Sequence, residues 1–134
     1  MSLTHTEQQF LAAQRHGRLA TIGLAGGPQV KPVGFTYNTE LGTIDIAGHF
    51  MASSTKYRNV RANPKVAFVV DDVPFEAIDG VRFLEIRGLA ETVTGPVPPD
   101  SDLSGDLIRI HPRRVLAYNI DPDRPGLLTR NIQS

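Results

Sequence analysis

The sequence predicts one mainly β domain whose strands close, or nearly close, into a barrel. Two observations carry this expectation. From residue 18 onward the chain breaks into short runs with period-two alternation, separated by Gly, Pro and Asn turn signals. Only two stretches have helical character, and a mostly antiparallel set of strands removes its exposed edges by closing. At 134 residues the chain has the size of one domain, which hides roughly two-thirds of its surface on folding.

Thr4 and Glu7 have the T-x-x-E spacing of a capping box, and Phe10 and Leu11 supply an apolar face, so residues 4–15 read as a helix that plugs a barrel end. A strand at 18–23 and a turn at Gly26-Gly27-Pro28 lead into a second strand at 29–37. There Lys31, Val33, Phe35 and Tyr37 share one face, and Pro32, which cannot donate to a ladder, marks an edge or a bulge. A hairpin turn at 38–42 is followed by a strand at 43–48 with Ile44 and Ile46 inward.

Ser53, Ser54 and Thr55 offer N-caps to a short helix at 56–62, which Asn63-Pro64 ends because proline disfavours helical geometry in the residue before it. Strands follow at 65–70, 82–93, 107–110 and 115–120, giving six or seven in all. The stretch 94–102, rich in proline, is a rigid polar loop between flanking strands.

Composition narrows the chemistry. Fourteen basic and fourteen acidic residues cancel, so no overall positive field gathers nucleic acid or an anionic membrane. With only 7% aromatic residues, the sequence does not fit an oligonucleotide-binding barrel. No apolar run spans a bilayer and no signal peptide opens the chain, so a cytoplasmic location is expected. There is no cysteine, and the four histidines lack ligand spacing, which argues against metal centres and thiolate chemistry. Redox work would require an organic cofactor.

The segment Ser53-Ser54-Thr55-Lys56 follows a strand and opens a helix, the arrangement in which free N–H groups, hydroxyls and a lysine hold a phosphate. Two readings stand. In one, Lys31, on a strand beside this helix start, joins Lys56 around one anion; in the other, the hydroxyls only cap the helix while Lys56, Arg58 and Arg61 form a solvated face and Lys31 is an exposed strand residue.

Four landmarks occur in order: Leu19-Ala20-Thr21-Ile22; Gly27-Pro28-Gln29-Val30-Lys31-Pro32-Val33-Gly34-Phe35; the Ser54-Thr55-Lys56 helix start ending in Asn63-Pro64; and Ile108-Arg109-Ile110-His111-Pro112-Arg113-Arg114-Val115. With them the chain resembles the pyridoxamine 5′-phosphate oxidase-like flavin- and deazaflavin-dependent oxidoreductases over nearly its whole length. The resemblance implies an FMN-binding split β-barrel, a homodimer, and a cofactor in the groove between subunits with its ring against Lys31, Pro32 and Val33. It implies that Lys56, with Ser53, Ser54 and Thr55, holds the cofactor phosphate, with Lys31 as a further basic contact and Arg58 and Arg61 as helpers.

The tail residues His111, Arg113 and Tyr118 could reach the partner's groove, with core packing the favoured role for Tyr118. Short members with such a tail are similar to the actinobacterial group that uses coenzyme F420 as hydride carrier, and the predominance of arginine over lysine agrees. The expected function is therefore reduction of a small conjugated or heteroaromatic substrate with coenzyme F420. The alternatives are an FMN-dependent oxidoreductase and a flavin-binding protein without turnover. Pyridoxamine phosphate oxidases resemble longer chains with a basic extension, so that reaction is not expected. Hydride transfer needs mainly closeness and alignment, so none of His5, His16, His49 and His111 is required as a general acid.

Overall fold

The structure is a computed structural model that describes residues 3–74, 80–97 and 99–132. Helix α1 (His5–Ala12) carries both halves of the capping box: the Thr4 N–H donates to Glu7 Oε1 at 2.9 Å and the Glu7 N–H to Thr4 Oγ1 at 3.2 Å. It stops before residue 15 because the ladder of β1 (His16–Ile22) already claims His16, which pairs with Gly34. Phe10 and Leu11 are buried, so α1 does close one end of the core.

The remaining elements are β2 (Pro28–Gly34), β3 (Thr36–Asn38), β4 (Thr43–Ala47), a 3-10 turn (Met51–Ser53), α2 (Thr55–Ala62), β5 (Lys65–Asp72), β6 (Arg82–Thr94), β7 (Asp106–Tyr118) and β8 (Leu127–Asn131). Every strand pairing is antiparallel, in the order β2-β1-β5-β6-β7-β4-β3, with β8 also on β7. The predicted second strand is thus two. β2 pairs with β1 at one end of the sheet and β3 with β4 at the other, and Phe35 joins them. Because consecutive residues occupy both ends of the sheet, it curls into a barrel that stays split where β2 and β4 part. Pro32 lies on β2, where an absent N–H breaks no second ladder.

Inward-facing Leu19, Ile44, Ile46, Phe68, Val70, Leu84, Ile86, Ile108, Ile110 and Val115 are almost completely buried, as strand alternation requires. Phe35 packs edge-on against Phe68 with ring centroids 5.0 Å apart.

The predicted strands at 107–110 and 115–120 are one strand, β7. Its register against β6 shifts so that Gly88 faces Pro112 and Arg87 faces Arg114, which leaves Arg113 as the extra residue of a bulge. The bulge accommodates proline inside a strand and demands glycine opposite, since a Cβ on Gly88 would stand 2.2 Å from the His111 carbonyl oxygen. Strand β8 was not anticipated: its burial alternates only between exposed and half-buried, so its sequence carries little apolar signal. In the proline-rich loop, Pro98 lies outside the described residues; the Gly95 N–H donates to the Gly105 carbonyl at 2.8 Å. Among the described residues no helix is long and apolar enough to cross a membrane.

Candidate functional site

Where β2 leaves β4, a cleft of about 370 Å³ opens, lined by residues 32–34, 46–51 and Lys56. Val33, Ile46 and Met51 give it apolar walls, and no carboxylate is among the lining residues. Phe50 stands at its lip with 82% of its surface exposed.

Helix α2 begins at the cleft because Ser54 caps it. Ser54 Oγ accepts the Tyr57 N–H at 3.3 Å and donates its own proton to the Met51 carbonyl at 2.7 Å. Ser53 Oγ likewise donates to the Phe50 carbonyl at 3.0 Å. Both serine protons are therefore spent within the turn, whereas the Thr55 and Lys56 amides, in the first helical turn, have no intrahelical acceptor. Ser54→Ala is expected to lower stability by about 1 kcal/mol, measured by denaturant unfolding, as for loss of a helix cap.

The position of α2 is fixed by buried Asn59, whose Nδ2 donates to Thr21 Oγ1 at 3.0 Å and to Gln29 Oε1 at 2.8 Å. Gln29, Lys31 and Val33 share one face of β2 by alternation. Gln29 meets Asn59 and Val33 lines the cleft with Lys56, so the register sets Lys31 between them, opposite Leu19. Of the residues singled out in the sequence, Pro32, Val33 and Lys56 line the cleft, Ser53 and Ser54 line a hollow on the flank of α2, and Lys31 and Thr55 are among the lining residues of neither. Among the described residues neither Lys31 nor Lys56 is in an ion pair.

Arg58 and Arg61 are exposed along a separate hollow on the flank of α2, shared with Ser53, Ser54 and Tyr57, and do not line the cleft. His111 and Arg113 are not brought to it either. β4 meets β7 at Leu107 beside the cleft, and His111 and Arg113 lie four and six residues further along, roughly 13 and 20 Å of strand. His111 instead pairs with Glu91. Tyr118 stacks on Phe83 with ring centroids 5.5 Å apart.

The carboxylates with displaced titration lie outside the cleft, each beside an arginine. Burial opposes ionisation of Asp45, but hydrogen bonds from Arg109, Thr43 and Asn38 outweigh it and hold the carboxyl below its usual range. The hydrogen bond from Arg82 likewise holds Asp72 low. Both pairs are internally neutral, and Lys56 is the one lysine or arginine among the residues that line the cleft.

Sequence reasoning missed Phe50, His49 and the 46–48 wall. The available signal was an aromatic residue in Gly48-His49-Phe50-Met51, between a strand end and a capped helix. The proline-rich loop contributes by folding back on this wall: the Asp102 carbonyl lies 3.1 Å from His49 Nδ1 and the Ser104 N–H donates to the Gly48 carbonyl at 3.2 Å.

Donor-only groups at a helix start and an apolar slot beside a strand fit a cofactor that joins a planar ring to a phosphate. The family model of pyridoxamine 5′-phosphate oxidase matches residues 3–124. The 5a,11a-dehydrotetracycline/5a,11a-dehydrooxytetracycline reductase of Streptomyces rimosus subsp. rimosus is 44% identical over 134 residues, covering 98% of this chain and 94% of its own. A conserved hypothetical protein from Mycobacterium tuberculosis superposes with a TM-score of 0.72 at 23% identity, over 100% of this chain and 94% of that one. An F420 reductase superposes with a TM-score of 0.59 at 30% identity, over 78% of this chain and 91% of that one.

Proposed function

This chain belongs to the pyridoxamine 5′-phosphate oxidase family, and we propose that it is a reductase using coenzyme F420 as hydride carrier on a small conjugated substrate. That it is an oxidoreductase with a flavin-type cofactor follows from the family and from the reductases it is similar to. The observation that carries the finer reading is the cleft at the barrel split, where Lys56 and the start of α2 stand beside the apolar wall of Val33, Ile46 and Met51.

Lys56, Lys31 and the amides of Thr55 and Lys56 bind the phosphate end of the cofactor, while Ser53 and Ser54 shape the turn that presents them. Pro32, Val33 and the wall at 46–48 orient the ring and exclude water. Arg58 and Arg61 add positive charge along the flank of α2. When bound and reduced, the cofactor supplies a hydride. That hydride would serve one carbon of a substrate double bond held beside the ring, with the balancing proton drawn from solvent. The protein contributes closeness and alignment.

The similarity to a dehydrotetracycline reductase supports a carbon–carbon double bond in a conjugated, oxygenated ring system as the group reduced. The chain works as a cytoplasmic homodimer of single-domain subunits, which brings His111 and Arg113 to the partner's cleft rather than their own.

Parallel titration with coenzyme F420 and FMN tests this. The purified protein is expected to lack the flavin absorption near about 450 nm and to bind coenzyme F420 when it is added. Tight binding of FMN alone would overturn the choice of cofactor. In the same series, sedimentation should give twice the 14.6 kDa chain mass. A monomer with full cofactor affinity would remove His111 and Arg113 from the site.

A further inference from the structure

We propose that Phe50 is the stacking platform of the cleft, its ring covering the side of the cofactor's planar ring that Pro32 and Val33 leave open; this rests on the assignment of the cleft to the cofactor. Of the five phenylalanines among the described residues, Phe10 and Phe68 are buried and Phe35 and Phe83 are half-buried, whereas Phe50 stands 82% exposed. An aromatic side chain left in water forgoes the stabilisation that burial gives. A flat ligand laid against it recovers that stabilisation.

The exposure is built into the chain on both sides of the residue. Before it, His49 is tied to the proline-rich loop, with its ring Nδ1–H donating to the Asp102 carbonyl at 3.1 Å. After it, Met51 is buried in the core, and the Phe50 carbonyl accepts the Ser53 N–H at 3.2 Å and the Ser53 hydroxyl at 3.0 Å. A backbone held at both ends keeps the Phe50 ring at the lip of the cleft, among its lining residues. Its neighbours in the chain, Gly48, His49, Ala52 and Ser53, are small or polar, so they add no broad apolar patch of the kind that a protein partner covers. A single aromatic ring beside the apolar wall of Val33, Ile46 and Met51, with Lys56 in the same cleft, suits a small flat molecule that carries an anionic end.

The test is equilibrium dialysis of oxidised coenzyme F420 and, in parallel, FMN against the full chain and its variants. Phe50→Ala is expected to bind whichever of the two the wild type takes up about ten-fold more weakly. Its Tm should be unchanged, because so exposed a side chain supports little packing. The loss should be the same at low and high salt, since no charge is removed, and should multiply with that of Lys56→Ala, since the two side chains hold different ends of one ligand. Phe50→Trp should keep the wild-type affinity, and its indole, the only tryptophan in the chain, should lose most of its fluorescence when the cofactor binds. A wild-type protein that binds neither cofactor would sink the cofactor assignment and this proposal with it. Equal affinity of wild type and Phe50→Ala, or an unquenched indole in the saturated Phe50→Trp complex, overturns the platform alone. So does a Phe50→Ala chain that sediments as a monomer where the wild type is a dimer, which would assign Phe50 to a subunit contact.

Discussion

Lys56→Ala is expected to weaken binding of coenzyme F420 by about 1.5–3 kcal/mol, or roughly 10- to 150-fold, with little change in Tm. Lys56 is half-buried at the cleft and in no ion pair among the described residues, so its removal takes charge from the site without orphaning a partner. Isothermal titration at two ionic strengths checks the cause. Salt should weaken the wild-type complex more than the Lys56→Ala complex, because screening acts on the charge that was removed. If Lys56 were only a solvated helix residue, affinity would be equal at both salt concentrations and stability would change by under about 0.5 kcal/mol.

Arg130→Ala is expected to cost about 3 kcal/mol of stability at neutral pH, measured by chemical unfolding. The side chain of Glu7 is only 6% exposed, and two hydrogen bonds from Arg130, at 2.6 and 2.7 Å, tie it to β8. Removing the arginine leaves that carboxylate buried, which typically costs 3–5 kcal/mol; about a third of Arg130 remains exposed, so the lower end applies. Burial by itself would raise the Glu7 pKa, but hydrogen bonds from Arg130 and Thr4 outweigh it and lower the pKa from its ordinary 4.5. A folded-state pKa below the unfolded one gives stability that is complete above about pH 4.5 and is lost as pH falls through the lowered value. The gap between wild type and Arg130→Ala should therefore be widest at neutral pH and narrow in acid. A gap independent of pH would assign the loss to packing of the arginine stem.

Much of the fold was legible because its signals are local. The Thr4 and Glu7 capping box, the Ser54 cap, the Asn63-Pro64 stop and the alternation through Ile44, Ile46, Leu84 and Ile86 each follow from residues a few positions apart. The errors fell where a distant partner decides. Pro112 looks like a strand break until Gly88 is set opposite it, and residues 29–37 look like one strand until β1 and β4 pull its halves to opposite edges. Strand β8 is recognisable only by its pairing with residues 114–118 of β7.

The same division runs through the site. By itself the sequence determined that Ser54-Thr55-Lys56 opens a helix directly after a strand, that Lys31 shares a strand face with Val33, and that no thiol is available for redox work, because these depend only on residue type and on periods of two and 3.6. Only the tertiary structure decided that Ser53 and Ser54 give their protons to the turn, that Arg58, Arg61, His111 and Arg113 lie off the cleft of their own chain, and that Phe50 and the 46–48 wall belong to it. Those outcomes depend on how β2 and β4 separate at the barrel split. That separation is set by which strands each half of 29–37 pairs with, and a non-local pairing leaves no period in the chain to read.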